Sequence, residues 1–161
     1  VISGFCDWLA ATPVSQAFQA AKWFVPLVQT VHILNIAVVV TSVGMIDFKL
    51  LGIAGRGHSL AAMVSGFMPW IWTALVILLF TGTLLTITEP SRELMNAAFR
   101  IKMALVVCAA SMLRVVQRQL HRDSSYWEVS APRRRAARAI GATCLLLIVS
   151  VVTAGRWIAY I

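Results

Sequence analysis

Four long apolar runs dominate the hydropathy pattern of this chain. The first, Trp23 to Ile46, has no fully charged residue between Lys22 and Asp47. At about 1.5 Å of rise per residue it is long enough to cross a hydrocarbon core of about 30 Å. A second uncharged run extends from Ser59 to Thr88 and carries Pro69. It exceeds one bilayer thickness, so the pattern favours a short surface helix from Leu60 to Phe67 followed by a span that opens at Pro69. One long helix kinked at Pro69 is the alternative. The third helix starts near Ser91 and reaches about Val116, with Arg100 and Lys102 ahead of the apolar stretch Met103 to Met112. The fourth, Ala139 to Ile161, has Arg156, Trp157 and Tyr160 near its end. The predicted spans are about 25–46, 69–87, 95–116 and 139–160. The fold class is all-α: an integral membrane four-helix bundle over residues 23–161.

Residues 1–22 have a different period. Ser3 is placed to cap a first short helix with Phe5, Trp8 and Leu9 on one side. Pro13 after Thr12 suits the opening turn of a second, with Val14, Phe18 and Ala21 on its apolar face. Neither piece can span, which predicts an interfacial amphipathic segment leading to an aromatic belt at Trp23 and Phe24. Gly52, Gly55 and Gly57 break the chain after the first span, Glu89-Pro90-Ser91 makes a tight turn, and residues 117–138 form a long hydrophilic connection.

Composition agrees with this partition. Hydrophobic residues make up 60% of the 161, and mean hydropathy is +0.83. That describes a membrane domain rather than a soluble protein with an anchor. The chain starts at Val1, which predicts an initiator or short leader ahead of it, and it opens without the pattern of a cleavable signal peptide. The net charge of +8 does not point to nucleic acid. Its excess is concentrated in Arg114, Arg118, Arg122, Arg133, Arg134, Arg135 and Arg138, between the third and fourth spans, where it reads as topology and headgroup attraction. The positive-inside rule then places that segment in the cytoplasm of a bacterial inner membrane, with both termini periplasmic. Cys6, Cys108 and Cys144 have no C-x-x-C spacing, and the six methionines are not clustered; both read as packing residues.

Candidate chemistry lies in the outer half of the predicted bundle. Gln29, His32 and Asn35 share one helix face, and an ionisable residue inside a span is a functional candidate by default. His32, Gly82, Lys102 and Arg156 fall within about one helical turn of a common depth. Arg100 and Lys102 point about 200° apart, so at most one of them faces any given site. Three chemistries answer to an imidazole, cations and a glycine gap in an apolar bundle. Heme b takes His32 as its axial metal ligand, with Lys102 or a methionine as a second ligand and Arg156 or Arg100 for the propionates. A quinone headgroup takes hydrogen bonds from His and Lys. His32 alone can also handle protons. Against all three stands a simpler role for His32, a hydrogen bond to a neighbouring helix. His58 falls on the opposite side of the membrane and His121 among loop arginines, so neither pairs with His32. There is no serine–histidine–acid set, P-loop or carboxylate pair, and Asp47 and Glu89 are terminal and on opposite sides.

The pieces FCDWLAATPVSQAFQAA, VQTVHILNIAVV, DFKLLG, PWIWTALVILLFTGTLL and FRIKMALV resemble a family of small bacterial inner-membrane proteins of unknown function. The resemblance runs to about Ala110. A His in helix one, a TG in helix two and a Lys in helix three are more distantly similar to copper-resistance D-type proteins and the HemJ-type protoporphyrinogen oxidase. That likeness implies heme b at His32 and Lys102 and carries over no enzymatic activity. The expected function is a heme b electron-transfer subunit. The alternative is a non-catalytic accessory subunit of a membrane complex or homo-oligomer.

Overall fold

The computed structural model describes residues 2–54 and 57–157, with side chains for 3–54 and 57–155. Every described element is helical: α1 (Ile2–Ala10), α2 (Pro13–Ala20), α3 (Phe24–Leu51), α4 (Leu60–Thr88), α5 (Pro90–Leu94), α6 (Ala97–Arg122) and α7 (Ala131–Trp157). Three of them are long and apolar enough to cross a membrane: α3, α4 and residues 131–155 of α7. Their outward faces carry Ile33, Leu34, Val76, Leu79, Phe80, Leu146 and Val149, all more than 60% exposed. Side chains of that kind belong in lipid. The helix expected to span about 95–116 exists as α6 but is not in this group; Arg100, Lys102, Arg114, Arg118 and Arg122 interrupt it.

Local chemistry sets several boundaries. Gly52 ends α3 in the left-handed region, φ +80°, where a Cβ would be strained, and its amide bonds back to Lys49. Thr12 caps α2 by accepting from the Ser15 amide, with Pro13 in the first turn. Four other boundaries correct the sequence pattern. Ser3 lies inside α1 rather than ahead of it. The helix α4 runs unbroken through Pro69, so the favoured split at that residue does not occur. The third helix is divided: α5 stops at Leu94, and Asn96 starts α6 by accepting from the Ala98 amide at 2.8 Å. The hydrophilic connection shrinks to residues 123–130, because α6 continues to Arg122 and α7 begins at Ala131.

Helix α3 packs along α4 and also against α7, and α6 packs on α7. One close approach is at Gly141 of α7. A Cβ there would meet Leu50 Cβ at 3.0 Å and the Asp47 carbonyl at 3.1 Å, so the small residue sets the distance between α3 and α7. Between α4 and α6 the link is made by side chains. The Trp72 indole donates to Gln117 at 3.4 Å, Arg114 donates to the same oxygen at 3.1 Å, and the Arg114 guanidinium sits 5.5 Å above the Trp72 ring.

Buried apolar side chains concentrate at one end. Val43, Ile46 and Leu50 of α3 meet Leu60, Val64, Met68 and Ile71 of α4, Leu113, Val116 and Leu120 of α6, and Trp127. At the other end α3 buries only Val28, α4 buries Thr81 and Thr88, and no residue from 97 to 112 of α6 is buried. His32 lies at this sparser end.

The short N-terminal helices fold back over the end of α4. Ser15 is fully buried and its hydroxyl donates to the Ile87 carbonyl at 2.7 Å; the Gln19 amide donates to the Thr88 carbonyl at 2.8 Å. These satisfy carbonyls that a helix C-terminus leaves without partners. The docked face of α2 is therefore polar; on its apolar face Val14 remains exposed and Phe18 stacks on Phe24, ring centroids 4.2 Å apart. Phe5, Trp8 and Trp23 are exposed with it, at the same end of the molecule.

Candidate functional site

The His32 ring lies half-buried between α3 and α4. Its Nδ1 is 2.7 Å from Thr81 Oγ1. The Thr81 hydroxyl has one proton, and the Ile77 carbonyl at 2.7 Å takes it, with the Leu78 carbonyl at 3.3 Å. Thr81 can then only accept, so His32 Nδ1–H is the donor. In the neutral ring this leaves the lone pair on Nε2, because the bond made by one nitrogen fixes the tautomer of the other. Among the described residues Nε2 has no hydrogen-bond partner.

Gly82 follows Thr81 on the same helix. A Cβ there would stand 3.6 Å from His32 Cε1. The glycine therefore seats the imidazole edge rather than leaving bare backbone for a flat ligand. Lys102 is half-buried and close enough for its charge to act on His32. Its aliphatic stem passes 3.7 Å from the Cβ position of Gly155 on α7, and its ammonium stands 5.4 Å from the Phe99 ring centroid. Four helices thus contribute at this level: His32 from α3, Thr81 and Gly82 from α4, Lys102 from α6 and Gly155 from α7.

The remaining candidates separate. Arg100 is exposed while Lys102 turns inward, as their angular separation requires. The Arg156 side chain lies outside the described residues. Asn35 donates to the Val31 carbonyl of its own helix at 2.8 Å and needs no partner helix. Gln29 lines a cavity of about 170 Å³ at the sparser end, together with Val25, Thr88, Glu89, Arg92 and Glu93. Arg92 in that mouth is already paired with Glu89 at 2.7 Å, and the carboxylate raises the Arg92 pKa above its ordinary value. His58 and His121 are exposed, and His121 Nδ1 donates to the Gln117 carbonyl at 2.8 Å.

The hydropathy pattern passed over two residues. Thr81 belongs to a run of small residues, and its role appears only once α4 lies beside His32. Asp47, placed by the sequence at the end of a span, is inside α3 and 1% exposed. Neither of its carboxylate oxygens has a hydrogen-bond partner among the described residues. No group of three His, Cys, Asp or Glu side chains among the described residues could hold a metal ion. A heme takes its axial ligands singly rather than from such a group, and His32 Nε2 is without a hydrogen-bond partner among the described residues.

The family of unknown function DUF6644 matches residues 15–161. The chain belongs to that family. The match begins within α2 and continues through α7, well beyond the Ala110 limit of the sequence resemblance. No curated protein and no solved structure matches the chain. The more distant likeness to copper-resistance D-type and HemJ-type proteins has no support from these comparisons. DUF6644 carries no assigned activity, so the reading of the site rests on its geometry.

Proposed function

We propose that this DUF6644 protein is an integral membrane four-helix bundle holding one heme b at His32, in the half of the bundle away from the arginine-rich loop. Its role is electron transfer between a membrane partner or the quinone pool and a periplasmic protein. The observation that supports this is the His32–Thr81–Ile77 chain of hydrogen bonds. It presents Nε2 with a lone pair and no partner, the arrangement that orients an imidazole for a metal. The bound group would supply a one-electron couple tuned by its axial ligands. His32 would hold the iron, with Thr81 fixing the ring. Lys102 would offer either a second nitrogen or a positive charge for a propionate. Arg100 and Arg156 remain candidates for the propionates.

Absorption spectra of the purified protein, oxidised and dithionite-reduced, test this directly. The expected result is a Soret band with a sharp α band on reduction, lost or strongly weakened in His32→Ala and unchanged in His58→Ala and His121→Ala. Lys102→Met shifts the spectrum if the amine is the sixth ligand. A folded, colourless wild-type preparation overturns the proposal, as does a coloured His32→Ala protein with an unaltered spectrum.

One observation favours a second reading. The bond from His32 to Thr81 joins two helices and needs no cofactor to do so. On that reading the chain is an accessory subunit, and His32→Gln retains assembly, since interhelical hydrogen bonds in membranes are worth only about 0.6–2 kcal/mol.

The four-span topology has its own test. In this proposal α6 crosses the membrane beside α7 despite its cations, with the arginine-rich loop in the cytoplasm and both termini in the periplasm of a bacterial inner membrane. Reporters active only in the cytoplasm should be silent at Val1 and at Ile161 and active near Ser130. Signals of opposite sign at the two termini would mean an odd number of crossings and would remove α6 from the set of spans.

A further inference from the structure

The arginine-rich end has a cavity of its own, of about 150 Å³, walled by the end of α3, the first residue of α4, the 123–130 connection and the start of α7. Its charged lining is Lys49, Arg134, Arg138 and Glu128, three cations to one carboxylate, above the apolar surfaces of Leu50 and Trp127. Arg134 and Arg138 are exposed, and among the described residues neither makes a side-chain hydrogen bond or ion pair. The Arg138 guanidinium lies 3.9 Å from the Cβ position of Gly52, against the C-terminus of α3. Trp127 is 7% exposed, yet its indole N–H has no acceptor among the described residues. Two guanidinium groups without ion pairs among the described residues, with a third cation, line one hollow, which is the furniture of an anion site.

We propose that this cavity binds the phosphate of an anionic phospholipid, with Arg134 and Arg138 as its principal contacts. Guanidinium groups match phosphate oxygens two at a time, and basic pockets at helix ends collect anionic headgroups. The position selects a lipid over a free ion. The cavity lies at the ends of three long apolar helices, and Met45 and Phe48, exposed on α3 near it, offer acyl chains an apolar path. The site is separate from His32 and does not depend on what His32 binds.

Native mass spectrometry of the full chain in detergent, titrated with phosphatidylglycerol and with phosphatidylcholine, reads the affinity. Phosphatidylglycerol should be preferred. The double variant Arg134→Gln/Arg138→Gln should weaken it about tenfold or more, because neither guanidinium is then present to pair with the phosphate. Arg122→Gln/Arg135→Gln removes the same charge from residues that do not line the cavity, and should leave affinity within about twofold. Equal weakening in the two double variants would show diffuse attraction to the arginine segment and overturn the site. So would an unchanged affinity in the first. If that double variant does not fold, Arg134→Gln alone should still weaken the lipid by about threefold or more, and an unchanged affinity there overturns the site too. Inorganic phosphate is the third arm. Displacement of phosphatidylglycerol by millimolar phosphate would assign the cavity to a free anion and overturn the lipid.

Discussion

The two ends of the helical assembly solve different problems with the same helices. At the arginine-rich end α3, α4 and α6 contribute Val43, Ile46, Met68, Ile71, Val116 and their neighbours to one continuous apolar cluster. At the His32 end the same three helices bury little beyond Val28, Thr81 and Thr88. The contacts there are polar or small: the His32–Thr81 bond, Gly82 against the imidazole, Gly155 against the Lys102 stem, and Ser15 and Gln19 on the last carbonyls of α4. Dense packing fixes helix positions through many weak contacts that nothing displaces easily. Sparse packing with directed hydrogen bonds holds side chains in defined orientations while leaving room beside them. The first kind of end stabilises the fold. The second leaves room between the helices themselves, whereas the cavity at the first lies at the helix ends.

Substitutions should separate the two ends by size of effect. The largest loss is expected from Ile71→Ala, since Ile71 is fully buried in the dense cluster. Cavity creation at such a position costs about 2–5 kcal/mol, measurable as a lower midpoint of unfolding in a mixed detergent series. A loss below about 1 kcal/mol would mean that the cluster is not the stabilising centre. Thr81→Val at the other end should cost much less, about 0.6–2 kcal/mol, because one interhelical bond is removed and shape is kept. On the heme proposal it should nevertheless weaken heme retention or move the α band, since His32 Nδ1–H loses its acceptor. Stability and spectrum would then respond at opposite ends of the molecule. The smallest effect belongs to Arg92→Gln. The Arg92–Glu89 pair is about half exposed, and such pairs contribute about 0.2–1 kcal/mol, less in high salt. A larger change would give the mouth of the Gln29 cavity a structural weight that its geometry does not suggest.

Much of the outline was legible in the sequence because its signals are local. A run without charge, a Gly at the end of α3 and a Thr-Pro pair at the start of α2 each act over a few residues, and each appears where expected. Asn96 is as good a cap as Thr12, but no proline follows it, and the run from Ser91 reads as one continuous helix. Pro69 shows the reverse error. Its missing N–H frees one carbonyl of the preceding turn, and the rest of α4 continues around the defect.

The sequence by itself determined that this chain is helical and that its long apolar helices can cross a membrane, although it predicted four spans where three helices meet that measure, and it put His32, Gly82 and Lys102 at similar heights. Only the tertiary structure decided which faces meet. It turned the polar side of α2 inward, buried Asp47 without a partner among the described residues, gave His32 to Thr81, and put the apolar cluster at one end. The reason is physical. In water an apolar face announces the core, but in a membrane both the lipid and the protein interior are apolar. A hydropathy pattern there marks depth without marking direction, and direction is set by small residues, close approaches and hydrogen bonds between helices.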